Sequence, residues 1–239
     1  MNFVINDFGS RLYKRTCSLD SSLSELPSFE LLPSAKLIGE GKYRQAYLQD
    51  DVVVKILKTY RNKKEGIVTI SYPMGLYTQS KFGISDFNQH EFENYRRLES
   101  KLPSDLRPNF QHIKEVRLVN GLSATICDAI KDYDGKLSKD CSRNQLPLDS
   151  GFYASLDVVF DYLIQSKNHL MDFHPMNVLA QQRSAGSFIP VFFDYKRLGH
   201  VTYPLMPWLR INHFSEQRFK RRFDRMTREI RAINGELSF

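Results

Sequence analysis

The stretch IKEVRLVNGLSATICDAI, residues 113 to 130, constrains the fold more than any other part of the chain. Asn120–Gly121 stands between two runs of alternating apolar residues, and an Asn-Gly pair accepts the positive φ that a two-residue hairpin turn demands. An antiparallel strand pair is expected there. A lone hairpin is marginal in water, so the pair needs further strands or a helix against it. The segment FELLPSAKLIGEGKYRQAYLQDDVVVKILK, beginning at Phe29, supplies them. Its strand-like runs are separated by turn residues at Gly39–Gly41 and Gln49–Asp51, the pattern of a three-strand meander.

Helical patterns fill much of the rest. QHEFENYRRLESKL precedes the hairpin and is stopped by Pro103. Residues 151 to 168 set Phe152, Leu156, Val159, Phe160 and Leu163 on one helical face. The strand-like NVLA and FIPVFFDY follow, joined by a polar loop at Gln181–Ser187, and from Pro204 onward the chain reads as helical and basic. Residues 59 to 88 read as an insertion, because Gly, Pro and Ser interrupt every periodic run. This order gives an α+β, two-lobed architecture: an antiparallel sheet lobe carrying one helix, then a small, mainly helical lobe. The expected division is a polar, Ser-rich arm at 1–28, a first lobe at 29–130 and a second at 131–239.

Composition excludes several classes. Three cysteines (Cys17, Cys127, Cys141) without C-x-x-C spacing suggest neither a disulfide framework nor a thiolate zinc site. No signal-peptide core or membrane-length apolar run is present, so the expected address is the cytoplasm. The net charge is +7, and residues 209–239 hold seven Arg and one Lys against four Asp or Glu. That basic tail could meet an acidic partner. Nucleic acid is set aside, because Phe214, Phe219 and Phe223 are expected to pack the helix onto the lobe with the arginines outside.

A few polar residues stand where chemistry could use them. Gly39 and Gly41 lie between strand-like runs, where missing side chains would let backbone N–H groups approach a phosphate; a plain hairpin turn is the alternative. In VVVKIL, period two puts Val53, Lys55 and Leu57 on one face, so Lys55 needs an anion there unless it sits on an edge and reaches solvent. On the following helix Tyr95, Leu98 and Leu102 fall within about 40° of Glu91, placing one carboxylate on the buried stripe and Glu93 on the solvent side. An ion pair between Lys55 and Glu91 is the expectation, with a helix-terminal acid favoured by the macrodipole as the alternative. Downstream, HLMDFHPMNVLA offers Asp172 as a proton acceptor and Asn177 as an oxygen ligand for Mg²⁺. Asp194 follows an apolar run as a second hard ligand. Turn chemistry and a strand-end cap are the alternatives for these three.

The succession of Gly-x-Gly, strand Lys, helix Glu, hairpin, helix, Asp-x₄-Asn, strand and Asp resembles the protein-kinase-like superfamily from about Leu37 to Gly199, and within it the bacterial YrbL family, named for the PhoP regulatory network. The resemblance implies ATP and Mg²⁺ as cofactors. It further implies that Gly39 and Gly41 cover the phosphates, Lys55 binds the α and β phosphates, and Glu91 holds Lys55. Asp128 and Ile130 in CDAI would then present backbone groups to adenine. Asp172 would be the catalytic aspartate, with Asn177 and Asp194 on the metal. The chain departs from the pattern in having Arg44 at the third glycine of the loop, Leu170–Met171 before Asp172, and DYK for DFG. DFHPMN is similar to the loop of aminoglycoside, choline and lipopolysaccharide-sugar kinases, with His174 in place of the protein-kinase Lys. That implies a small-molecule or envelope-glycan hydroxyl as acceptor. The alternative is a pseudokinase-type nucleotide-binding regulatory or interaction module.

Overall fold

The computed structural model describes residues 26–41, 44–58, 60–61, 68–69, 86–168, 172–195 and 212–235. The meander expected after Phe29 forms as β1 (Lys36–Glu40), β2 (Arg44–Gln49) and β3 (Val52–Leu57). Two short paired strands, β4 (Tyr60–Arg61) and β5 (Val68–Thr69), fall within the insertion, while its residues 62–67 and 70–85 lie outside the described residues. Helix α1 (Phe87–Glu99) follows. Its N-cap Asp86 accepts from the backbone N–H groups of Asn88 and Gln89 at 2.7 and 3.2 Å, satisfying donors that a first turn leaves unpaired.

The hairpin is β6 (Ile113–Val119) and β7 (Leu122–Asp128), turning at Asn120 (φ 51°) and Gly121 (φ 75°). Both turn residues take the left-handed conformation that an Asn-Gly sequence accepts at low cost. The five strands join in the order β1-β2-β3-β7-β6, antiparallel throughout. At the β6 edge, Leu118 N–H donates to the Pro27 carbonyl and Phe29 N–H to the Leu118 carbonyl, so the end of the N-terminal arm runs parallel to the sheet. Residues 1–25 of the arm lie outside the described residues.

After β8 (Lys139–Asp140) comes α2 (Ser150–Gln165), N-capped by Asp149, then β9 (Val178–Ser184), β10 (Ser187–Phe192) and α3 (Asn212–Ile233). The last three strands form a second sheet in the order β10-β9-β8. Phe110 bridges to Phe192, and Gln111 N–H donates to the Phe192 carbonyl at 2.9 Å, tying the two sheets together.

Strand alternation and helical spacing dictate how the core divides. Val54 and Ile56 bury one face of the five-stranded sheet, with Val119, Ala124 and Ile126. Val53 points the other way, into a larger cluster that includes Tyr95 and Leu98 of α1, Phe152, Leu156, Val159 and Leu163 of α2, and Phe219, Phe223, Met226 and Ile230 of α3. Each such side chain contributes roughly 1.5–3 kcal/mol on burial. Phe219 and Phe223 are buried as their spacing implies, while Phe214 lies outside the described side chains. Among the described residues no helix is long and apolar enough to cross a membrane, and Cys127 and Cys141 are free buried thiols.

Candidate active site

Lys55 sits on the α1-facing side of β3, opposite Ala46 of β2 and Thr125 of β7. It is buried, with 7% exposure. Its Nζ donates to Oε1 of the buried Gln111 at 2.8 Å and lies 5.4 Å from the centroid of the Phe193 ring. The other end of Gln111 donates to the Asp128 carbonyl at 2.9 Å, and its own carbonyl accepts from the Tyr195 hydroxyl at 2.6 Å.

The expected ion pair between Lys55 and Glu91 does not form. Glu91 is fully buried on α1, as the helical wheel requires, but its partner is Arg44. Arg44 Nη1 donates to Glu91 Oε2, and Nη2 reaches Glu91 Oε1 at 3.3 Å. The physical reason lies in register and reach. Arg44, Ala46 and Leu48 share the face of β2 that looks toward α1, and a planar fork fits a carboxylate at two points where an ammonium meets it at one. Arg44 Nη1 also donates to Asn88 Oδ1 at 3.1 Å, and Nη2 stands 4.0 Å from Asp194 Oδ1.

Asn88 completes this anchor. Its amide donates to the Ser123 carbonyl and hydroxyl at 2.8 and 3.0 Å, and its oxygen accepts from the Thr125 hydroxyl at 2.9 Å. Helix α1 is thereby locked to β7 and β2 through polar groups that are all satisfied, the condition under which burying them is not costly.

The segment 172–195 brings the remaining residues to the same side. His174 caps the 3₁₀ turn Pro175–Asn177, its Nδ1 accepting from Met176 N–H at 3.2 Å. Pro175 presets the first turn position. The Asn177 amide nitrogen donates to the Asp172 carbonyl at 3.0 Å, bracing the loop across five residues. That assignment points the amide oxygen away from the brace, and among the described residues it has no hydrogen-bond partner. The Asn177 carbonyl accepts from Phe193 N–H at 3.2 Å, so Asn177 lies beside the backbone that carries Asp194. Asp194 itself is in the left-handed region at φ 72°, a conformation unusual for a residue with a side chain and concentrated at functional positions. The next residue holds it there: Tyr195 is fully buried, its N–H donates to Glu91 Oε1 at 3.2 Å, and its carbonyl accepts from Asn94 at 2.9 Å. Asp172 Oδ1 meets Arg222 Nη1 of α3 at 3.5 Å. Leu170 and Met171 lie outside the described residues.

Of the two residues expected to meet adenine, Asp128 ends β7 and Ile130 follows it by two positions. The Asp128 carbonyl accepts from Gln111, and the Ile130 carbonyl accepts from Ser138 N–H at 3.0 Å. Ala129 N–H is spent on the Asp51 carbonyl. Ile130 N–H has no partner among the described residues. Gly39 lies in β1, paired with Ala46 of β2, and Gly41 follows the strand, its N–H donating to the Arg44 carbonyl at 2.8 Å. A Cβ at Gly39 would come 3.9 Å from Ala46 Cβ, and one at Gly41 would come 3.6 Å from the Arg44 carbonyl oxygen. These are ordinary contacts, so the described residues do not themselves require glycine at either place.

The electrostatics follow the pairing. Burial alone would lower the Arg44 pKa, but the charge of Glu91 and the hydrogen bond to it raise it above the ordinary value, fixing the guanidinium as a cation. Burial pushes the Cys127 thiol, between these groups, up to about 11. Desolvation raises the Tyr195 phenol well above its usual range. The Asp128 carboxyl runs the other way: its partial burial opposes ionisation, but hydrogen bonds from Lys114 and His112 hold it below the usual range.

The structure thus gathers Arg44, Glu91 and Asp194 in one charged cluster, joins Asp172 to Asn177, and links Lys55 to Tyr195 through Gln111 while setting its ammonium near the ring of Phe193, whose N–H bonds the Asn177 carbonyl. Sequence reasoning missed Gln111, Asn88, Tyr195 and Arg222. Only Tyr195 carried a signal, as a large aromatic directly after an isolated Asp. Among the described residues no group of three or more His, Cys, Asp or Glu gathers as a metal cage.

No protein-family model matches the chain, and no curated protein matches it. Among solved structures it is similar to the PpkA-294 apo form, with a TM-score of 0.44 and 16% identity, covering 72% of this chain and 62% of that one. It is also similar to the BubR1 kinase domain, with a TM-score of 0.43 and 17% identity, covering 75% of this chain and 52% of that one. The chain therefore spans less than two thirds of either, and likenesses this loose carry no argument about its chemistry.

Proposed function

We propose that the protein is an ATP-dependent phosphotransferase of the kinase-like kind, related to the YrbL family, acting on a hydroxyl acceptor that is a small molecule or envelope glycan. The observation that supports this most is the state of Lys55. A buried ammonium is costly unless an anion compensates it, yet the neighbouring carboxylate is bound by Arg44 and the partner of Lys55 is a neutral amide. A phosphate is an anion that arrives from outside and needs no resident acid. No described neighbour requires glycine at Gly39 or Gly41, and in this reading the missing side chains let a phosphate approach the backbone there.

The donors fit Mg²⁺. That ion takes one or two carboxylates and leaves its other positions to phosphate oxygens and water. Asp194, turned by its left-handed backbone, and the outward oxygen of Asn177 would hold it. When bound, Mg²⁺ neutralises charge on the triphosphate. In this reading Lys55 adds its charge at the α and β phosphates, Ile130 N–H is the backbone donor left for the base, and Asp172 orients the acceptor hydroxyl and takes its proton. Residues 29–130 supply the nucleotide side and 131–239 the acceptor side. Positioning and fixed charge do most of the work.

Purified protein with γ-labelled ATP and Mg²⁺ tests the reading. Asp172→Ala should lower turnover by about 10²–10⁴-fold while nucleotide affinity stays within about twofold. Full activity in that variant would remove Asp172 from its role. The bond from Arg44 to Glu91 favours a second reading, a nucleotide-binding module without turnover. Saturable ATP binding with no phosphate released or transferred would select it.

A further inference from the structure

Gln111 stands where three parts of the candidate site meet. It lies in the irregular link between the 3₁₀ turn Arg107–Asn109 and β6, and is buried with 3% exposure. Its backbone is pinned to the segment that leads to and past Asp194: its N–H donates to the Phe192 carbonyl at 2.9 Å, and its carbonyl accepts from the Tyr195 hydroxyl at 2.6 Å. Asn109, two residues earlier, donates to the Pro190 carbonyl of β10 at 2.8 Å. The link therefore cannot shift without breaking buried hydrogen bonds, which are costly to leave unmade.

The side chain spans the other two parts. Oε1 accepts from Lys55 Nζ at 2.8 Å, and Nε2 donates to the Asp128 carbonyl at 2.9 Å. The partners settle which way the amide points, because an ammonium can only donate and a backbone carbonyl can only accept. Asp128 is tied to the same link a second time, its N–H donating to the His112 carbonyl at 3.0 Å. One buried amide thus connects the ammonium assigned to the phosphates with the segment assigned to the base. A carboxylate of the same length would bond Lys55 but cancel its charge and set an oxygen against the Asp128 carbonyl. An apolar side chain would satisfy neither partner. An amide holds the ammonium in place and leaves its charge uncancelled.

We propose that Gln111 is the positioning residue of the nucleotide site: it aims Lys55 without neutralising it and couples the base-binding segment to the phosphates, so that each end of the nucleotide strengthens the binding of the other. The inference rests on the nucleotide reading of Lys55 and Ile130. In this role Gln111 touches no substrate atom and acts through Lys55 and Asp128. A phosphate meets an ammonium whose freedom was given up on folding, which lowers the cost of binding it. A base bonded to Ile130 N–H steadies Asp128, two residues earlier, and with it the amide that aims the ammonium. By reciprocity, a phosphate held by Lys55 steadies the base-binding segment to the same extent.

The test uses the full chain with Mg²⁺ and two separate probes, adenosine and tripolyphosphate, titrated alone and together by calorimetry. In the wild type, saturating adenosine should tighten tripolyphosphate binding by about fivefold or more. Gln111→Met should bring that factor to within about twofold of unity. Gln111→Glu should weaken tripolyphosphate by about tenfold or more, and by more than Gln111→Met does, because it gives Lys55 a resident anion. A purely structural role predicts the opposite order, since Glu keeps the shape of Gln and Met does not. Urea unfolding confirms that each variant is folded, and the isosteric Gln111→Glu carries the test if Gln111→Met is not. Side-chain NMR of isotope-labelled lysine reads the hold on Lys55 without any ligand: a slowly exchanging ammonium signal, absent in Lys55→Met, should be lost or broadened in Gln111→Met. Coupling that survives Gln111→Met, or a Gln111→Glu protein that binds tripolyphosphate as well as the wild type, overturns the proposal. A Gln111-dependent ammonium signal in a protein that binds neither probe upholds the hold on Lys55 and refutes the phosphotransferase reading. Mg-ATP binding and turnover indifferent to both substitutions do the reverse.

Discussion

Two cations, Arg44 and Lys55, share one face of the sheet, and the structure assigns them opposite energetic roles. Arg44→Met strips the forked cation from Glu91, which is fully buried and accepts from the Tyr195 N–H. Breaking a buried pair from one side costs about 3–5 kcal/mol. Lys55→Met removes an ammonium bonded to a neutral amide and keeps most of the apolar stem. The lost charged hydrogen bond is worth about 1.5–3 kcal/mol, and relief of the buried charge returns a similar amount, so the net should lie within about 1 kcal/mol of zero or be stabilising. Urea unfolding of both variants checks the contrast. The double variant Arg44→Met, Glu91→Leu should recover most of the loss, because an apolar pair of similar volume replaces the ions. A cycle on Lys55 and Glu91 should show coupling under about 0.5 kcal/mol. If Lys55→Met unfolds the protein and Arg44→Met does not, the assignment of Glu91 to Arg44 is refuted.

Other consequences follow from the loop and the thiols. Asn177→Ala removes both the brace to the Asp172 carbonyl and the proposed metal oxygen, so the Mg²⁺ concentration for half-maximal turnover should rise by about tenfold or more; an unchanged Mg²⁺ dependence would take Asn177 off the metal. Burial raises Cys127 to about 11 and Cys141 to about 12, so neither should be alkylated at pH 8 until the chain unfolds, as mass mapping would show. Because both folded values lie above the unfolded thiol value, the stability they contribute is whole below about pH 9 and declines as pH rises through the folded values. Unfolding midpoints that hold level from pH 9 to 11 would contradict this.

The alternation in VVVKIL and the stripe through Glu91, Tyr95, Leu98 and Leu102 are local patterns, and each placed its residues on the right face. The Asn-Gly turn set the hairpin register for a similar reason, because two residues determine it. The identity of the partner of Glu91 was not legible in this way. It depends on how β2 registers against β3 and on how far each cation reaches, and period two in RQAYLQ shows only that Arg44 shares the face of Ala46 and Leu48. Gln111 and Arg222 were invisible for a stronger reason. Gln111 lies in an irregular link between a 3₁₀ turn and β6, and Arg222 is one of several arginines on a helix whose approach to Asp172 depends on aromatic packing 50 positions away.

The central claim is that the buried ammonium of Lys55 waits for a phosphate. Equilibrium binding of Mg-ATP to the folded wild-type chain and to Lys55→Met tests it directly. Saturable binding that weakens by about 10–100-fold in the variant, with stability unchanged, is the expected result. Equal affinity in the two proteins, or no binding to either, would contradict the account.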